Sequence, residues 1–250
     1  MEVWVYNLAR GSATRLVSDG SNQFPIWTPN GERLTYRATR KGTRNIVWRM
    51  ADGTGTEERL TTGVGNHAPG AWSPDGTALL YWDSTVGEDI LELKLNKRTT
   101  QPFVRTRFAE YSPWFSPDGR WVAYMSDESG REEVYVQPYP GPGERIQVST
   151  GGGTGPLWNP NGRELLYRSG NKMMAVDVAT RPGFTAGRPT PLFAGDFVSS
   201  STGFPNYDVS RDGRFLMVQP SANETATPTQ IIVVLNWFEE LKRLAPHPRR

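Results

Sequence analysis

The stretch "GAWSPDGTALLYWD", residues 70–83, places a tight turn between an aromatic residue and a run of alternating apolar residues. Pro presets φ for the first central position of such a turn, Asp tolerates the second, and Gly adopts a positive φ at no steric cost. "ALLY" on the far side reads as a half-buried strand, so the stretch is a β-hairpin. Near copies recur along the chain: Trp27-Thr-Pro-Asn-Gly31, Trp72-Ser-Pro-Asp-Gly76, Phe115-Ser-Pro-Asp-Gly119, Trp158-Asn-Pro-Asn-Gly162 and Val209-Ser-Arg-Asp-Gly213. Their closing glycines, Gly31, Gly76, Gly119, Gly162 and Gly213, are 45, 43, 43 and 51 residues apart. Five residues beyond each Gly stands Tyr36, Tyr81, Tyr124, Tyr167 or Val218.

Each hairpin is followed by a more apolar segment, "NIVWRM", "DILELKL", "EVYVQPY", "KMMAVDV" and finally "QIIVVLNWF". A weaker strand then ends in a small polar turn, as in "EERLTTG" and "ERIQVST". Four strands in about 43 residues is the size of one propeller blade. A sheet this small cannot bury both faces alone, so blades must stack around an axis. The expected fold is an all-β propeller of four-stranded blades spanning residues 1–237, with hairpins near 24–38, 69–83, 112–126, 155–169 and 206–219. A short helix and tail are expected over 238–250. Trp27, Trp72, Phe115 and Trp158 are expected to fill the space between blades.

The opening "EVWVYNL" is a sixth copy of the apolar third strand, so the chain begins in mid-blade. Two closures fit. In the favoured one, a six-bladed ring lacks the opening hairpin of its first blade. In the other, a closed five-bladed ring uses the N-terminal strands to complete the blade begun by "FPNYDVSRDGRFLMV".

Composition restricts the function classes. The 250 residues carry 28 basic and 26 acidic side chains, a formal charge of +2, which is no nucleic-acid footprint. The 26 Gly and 20 Pro suit a turn-rich β fold, and the lack of Cys removes disulfides, thiolate metal sites and cysteine nucleophiles. "MEVWVYNLARGSATRLV" alternates like a strand and has no signal-peptide pattern.

The repeated "WSPDG…Y" hairpin resembles the TolB-type propeller repeat, a relative of WD repeats, without the Gly-His and Trp-Asp dipeptides of WD blades. The tail "IIVVLNWFEELKRLAP" resembles the end of propellers that follow the kinase domain in bacterial eukaryotic-like serine/threonine kinases. Asn236 can cap the expected helix there, Glu239 completes the capping box, and Pro246 ends it. The resemblance implies a sensory or scaffolding module of a larger bacterial signalling protein, fused downstream of a kinase and placed in the periplasm or outside the cell. A second implication is the substrate-gating propeller of a prolyl-oligopeptidase-like serine peptidase, here lacking its hydrolase domain.

Catalytic signatures are missing from the sequence. There is no Gly-x-Ser-x-Gly elbow, His-Glu-x-x-His, Walker loop, dinucleotide fingerprint or kinase motif. The expected function is therefore non-catalytic binding of a protein or peptide partner, with no cofactor, no metal, no nucleic acid and no membrane contact by the chain itself. "SDESGREE", residues 126–133, reads as an acidic surface turn, and Arg37, Arg40, Arg44, Arg49 and Arg168 read as solvated. The candidate binding residues lie on the loops that lead into the first strand of each blade, at the mouth of the central channel. They are Gln23, Phe24, His67, Glu110, Tyr111, Thr154, Phe204 and Asn206. For His67 a hydrogen bond within its own loop is the simpler role.

Overall fold

A computed structural model of the chain describes residues 1–85, 87–200 and 202–220. The strand "QIIVVLNWF" and the C-terminal helix expected from the sequence lie outside the described residues. Those described form strands and turns, without helix.

The chain opens with a two-stranded sheet, β1 (Val3–Asn7) against β2 (Ser12–Val17). Three four-stranded antiparallel sheets follow, each paired in chain order. The first contains β3 (Ser21–Trp27), β4 (Arg33–Arg40), β5 (Thr43–Met50) and β6 (Glu58–Arg59). The second contains β7 (His67–Trp72), β8 (Ala78–Asp83), β9 (Asp89–Lys94) and β10 (Thr99–Val104). The third contains β11 (Glu110–Phe115), β12 (Trp121–Ser126), β13 (Glu133–Pro138) and β14 (Ile146–Gln147). A fourth sheet holds β15 (Thr154–Trp158), β16 (Glu164–Ser169), β17 (Lys172–Ala179) and β18 (Thr185–Ala186), with β19 (Thr190–Ala194) also pairing with β17. The last hairpin is β20 (Tyr207–Val209) with β21 (Phe215–Met217).

The turn residues do the work that their identities suggest. In the second sheet, Gly76 N–H donates to the Ser73 carbonyl at 2.8 Å, and Ser73 Oγ donates to Asp75 Oδ1 at 2.6 Å. Asp75 Oδ1 also accepts from Thr77 N–H at 3.0 Å, which closes a side-chain turn inside the backbone turn. Ser116, Asp118 and Gly119 repeat this pattern. The closing glycines share one left-handed conformation, with φ of 70° at Gly31, 71° at Gly76, 70° at Gly119 and 71° at Gly162. A Cβ on Gly119 would also come within 3.2 Å of Pro74 on the preceding sheet.

Apolar faces pack sheet against sheet in sequence order. Ile26, Ile46 and Leu60 meet Trp72, Leu79 and Tyr81. Leu80 and Ile90 meet Phe115, Val122 and Tyr124, and Val134 and Val136 meet Trp158, Leu165 and Val176. Leu157, Leu166 and Met173 meet Tyr207 and Phe215 of the last hairpin. Each such side chain contributes about 1.5–3 kcal/mol by leaving water, so the core is distributed over successive interfaces. The architecture is a β-propeller of four-stranded blades.

Trp72 and Trp158 take the expected interblade places. The Trp72 indole donates to Thr35 Oγ1 and the Trp158 indole to the Trp114 carbonyl, both at 3.0 Å and both on the preceding sheet. Phe115 is likewise buried. Trp27 departs from expectation and is 51% exposed. Its counterparts rest on the first three strands of the sheet before them, Trp72 on Thr35 and Trp48 and Trp158 on Trp114 and Val134. The sheet before Trp27 is β1–β2, which among the described residues contains only the two strands matching the outer half of a blade.

Candidate binding site at the channel mouth

The first strand of each four-stranded sheet is interrupted by a bulge: between Gln23 and Ile26, Pro69 and Ala71, Tyr111 and Trp114, and Thr154 and Leu157. Three of the bulged segments hold a left-handed residue at the same place in the repeat, Phe24 (φ 55°), Ser112 (φ 56°) and Gly155 (φ 59°). Glycine occupies this region freely, whereas a residue with a Cβ loses about 1–2 kcal/mol there. Bulges re-aim side chains, and here the strained Phe24 is turned across to neighbouring sheets.

The Phe24 ring meets Trp82 of β8 edge-on, with centroids 5.5 Å apart, and lies 5.3 Å from Phe204. Phe204 also approaches Trp82 at 6.4 Å and Trp114 of β11 at 5.8 Å. One ring from the loop before β20 therefore touches aromatic residues from three other sheets. On its turn side is a cavity of about 620 Å³, lined mainly by apolar residues including Trp27, Trp72, Trp114, Leu157 and Leu216. The Trp114 indole N–H is buried there without an acceptor.

On the lead-in side the aromatic layer is edged by guanidinium groups. The Arg37 guanidinium lies 4.5 Å from the Phe24 ring centre and donates to Gln23 Oε1, and to Asn66 Oδ1 at 3.4 Å. Burial, and then the like charge of Arg44, lower its pKa to about 10. Arg168 occupies the matching place on β16. It is only 9% exposed, donates to the Gly170 carbonyl at 3.2 Å, and is held below the usual arginine range by burial. In both residues Nε is buried without a partner. Sequence position suggested solvated arginines here, and for these two the structure replaces that with half-buried and buried charges. They follow Tyr36 and Tyr167 directly, so they alternate onto the face shared with Thr35 and Leu166, which packs toward the following sheet.

The eight sequence candidates separate into two groups. Gln23, Phe24, Thr154, Phe204 and Asn206 are half-buried at the mouth. Thr154 pairs with Arg168 across β15 and β16, and Thr154, Phe204 and Asn206 share a small recess with Arg168. His67, Glu110 and Tyr111 are instead buried and engaged internally. His67 Nδ1 is 2.9 Å from Thr61 Oγ1 and Nε2 is 3.6 Å from Asp83, while burial depresses the imidazole pKa against the opposing pull of Asp83. Glu110 accepts from the hydroxyl and backbone N–H of Thr106, and burial pushes its carboxyl pKa up. The Tyr111 phenol donates to Glu132.

The acidic turn at 126–133 is also less exposed than its composition suggests. Ser126 and Glu133 are buried, and Glu133 accepts from Ser149 Oγ and, at 2.9 Å, from Gly152 N–H. Glu128 pairs with Arg145 at 2.7 Å. These carboxylates hold loops together.

No family model matches the chain. Curated relatives match part of it. An uncharacterized Agrobacterium fabrum protein, Atu1656, is 27% identical over 154 residues, 56% of this chain and 52% of that protein. The Tol-Pal system protein TolB of Ruthia magnifica is 33% identical over 78 residues, 29% of this chain and 18% of that protein. The matches thus span about half of the first relative and under a fifth of the second. Among solved structures, a protein of Agrobacterium tumefaciens described as a TolB superimposes with a TM-score of 0.67 at 18% identity, covering 87% of this chain and 82% of that one. TolB from Acinetobacter baumannii gives 0.62 at 21% identity, covering 88% and 60%. The fold is that of the TolB-type propellers. A puromycin-hydrolyzing peptidase of Mycobacterium tuberculosis gives 0.61 at 19% identity, covering 83% of this chain but 37% of the peptidase.

Proposed function

We propose that this chain is a non-catalytic binding module that grips a peptide or a protein loop at the channel mouth. The observation that carries this is the aromatic layer of Phe24, Trp82 and Phe204, brought together from separate sheets with Phe24 held in a left-handed conformation. Rigid aromatic rings in a desolvated centre, edged by arginine, are the composition of binding hot spots. Gln23, Thr154 and Asn206 would supply adaptable hydrogen bonds around that centre. The TolB-type fold and the tail sequence support a place for the module outside the cytoplasm, in a larger bacterial signalling protein that carries a kinase domain upstream.

The test is selection of displayed peptides on the immobilised chain. Enriched peptides should lose binding to Phe204→Ala and Trp82→Ala variants that melt cooperatively. Peptides that ignore those changes but are lost with Trp27→Ala or Leu216→Ala would move the site to the cavity on the turn side. The likeness to the propeller part of a peptidase favours a second reading, in which the module gates a hydrolase domain in a longer protein. Joined to such a domain, the propeller would then restrict cleavage to short peptides.

A further inference from the structure

A half-buried guanidinium group, Arg37, and a buried one, Arg168, stand at equivalent positions of the repeat, and neither has a carboxylate partner. Several arginines elsewhere have a carboxylate partner, whereas Arg44 and Arg49 donate only to neutral oxygens. Arg40 pairs with Glu57 at 2.6 Å, Arg105 with Asp89 at 2.8 Å and Arg145 with Glu128 at 2.7 Å. Arg37 and Arg168, among the described residues, make hydrogen bonds only to neutral amide, carboxamide or carbonyl oxygens. Their only cationic neighbour of note, Arg44, worsens the charge balance at Arg37 and shares the Asn66 side-chain oxygen with it. A buried charge without a counterion costs several kcal/mol, and a fold that needed only packing there would place an apolar residue. Replacing Arg168 by Met would remove that cost, so the charge is kept at the expense of stability.

Geometry indicates what the charge is kept for. Arg168, 9% exposed with its Nε unsatisfied, lines a recess of about 20 Å³ together with Thr154, Gly155, Asn206 and Tyr207. That is room for about one water-sized group, so the recess admits a single carboxylate oxygen and nothing bulkier. The recess shares Phe204 with the aromatic layer, and Phe204 packs on Phe24, over which Arg37 lies. Aromatic rings are thus flanked on two sides by unpaired guanidinium donors, the arrangement that grips a planar anion attached to an apolar segment.

We infer that Arg168 and Arg37 form a carboxylate-binding site at the channel mouth, and that the peptide ligand presents an acidic side chain or a free C-terminus there. This rests on the peptide-binding role proposed above and specifies its chemistry. Arg168 anchors the carboxylate in the recess, Arg37 neutralises a second acidic group or shares the first, and Phe24 and Phe204 hold the adjoining apolar side chain.

Two measurements test it. The first uses the folded protein without ligand: Arg168→Gln and Arg37→Gln should melt at or above the temperature of the parent, because an uncompensated charge is removed. A clear fall in Tm for both would make the guanidiniums structural and overturn the assignment. In the same assay, sodium glutarate should raise the Tm of the parent relative to sodium chloride of equal ionic strength. The double Arg→Gln variant should show no such rise, and an equal rise in parent and variant would contradict the site. The second uses the peptides selected at the mouth. Loss of one charge-assisted hydrogen bond, about 1.5–3 kcal/mol, corresponds to roughly tenfold or more in Kd. Replacing Asp or Glu by Asn or Gln should therefore weaken binding at least tenfold if a side chain is held, and amidation should do so if the C-terminus is held. Arg168→Gln should abolish the difference. Peptides that depend on Phe204 and Trp82 yet ignore both carboxylate changes would sink this inference while leaving the peptide-binding role intact. Failure to select any mouth-dependent peptide would remove the binding role itself.

Discussion

The two ends of the channel are built by different rules. At the turn end the four hairpins before the last use the same parts: a Pro, an Asp or Asn that accepts from neighbouring donors, and a glycine near φ 70°. At the mouth the corresponding places hold Phe24, Ser112 and Gly155 at the bulges, and Arg37, Trp82, Met125 and Arg168 on the second strands. Uniform chemistry at one end is what stacking requires, because each blade meets a near copy of itself. The other end departs from that uniformity: Trp82 and Met125 are packed in an apolar cluster beside Phe24 and Phe204, and guanidinium groups take the same place in the first and fourth sheets.

This contrast can be broken or sharpened by substitution. The largest effect on stability is expected at Trp72, wedged between sheets with its indole bonded to Thr35. Trp72→Ala should cost about 3–5 kcal/mol, and the half-exposed Trp27→Ala much less; equal losses measured by denaturant unfolding would remove the distinction drawn between them. Gly119→Val comes next. Its φ of 70° and the 3.2 Å approach of Pro74 leave no room for a branched side chain. A loss of about 2–3 kcal/mol is expected, and an unchanged Tm would refute the turn assignment.

Phe24→Gly should behave in the opposite sense. It gives up ring contacts but relieves the left-handed cost, so stability should stay within about 1 kcal/mol. Peptide affinity should nevertheless fall about tenfold or more, and a variant that binds like the parent would show the aromatic layer to be packing alone. The smallest effect concerns His67. Its folded pKa is lowered by burial, so the unfolded chain binds the proton more readily and the native state loses stability as pH falls through about 6.5. Between about pH 7.5 and 5.5 the Tm of the parent should therefore drop more than that of His67→Asn. Parallel curves would mean that the buried imidazole is not perturbed.

How much of this was legible beforehand divides along the same line. Trp72-Ser-Pro-Asp-Gly76 and its copies announce their turns because local chemistry alone determines them. The strands beside them follow from alternation. Trp27 carries the same local signal as Trp72, yet its exposure depends on which strands precede it in space. Arg37 and Arg168 looked solvated because an exposed strand position and the rim of a face between blades can both hold an arginine. Counting one place beyond Tyr36 and Tyr167 would have put both on the face shared with Thr35 and Leu166, which the following sheet covers. The bulges were not readable at all: Phe24 and Ser112 are poor residues for positive φ, and the hydrogen-bond register of the sheet imposes it on them. His67 and Glu110 open β7 and β11 rather than lying in the loops before them, and Thr61 and Thr106, a few residues earlier, hold them inward.

The central claim is that binding occurs at the irregular end of the channel. Hydrogen–deuterium exchange of the full chain, with and without a selected peptide, tests it most directly. Protection should appear in residues 21–24, 37–40 and 202–207, with the turns at 28–31, 73–76 and 116–119 unchanged. Protection centred on those turns, with the mouth unaffected, would contradict the account.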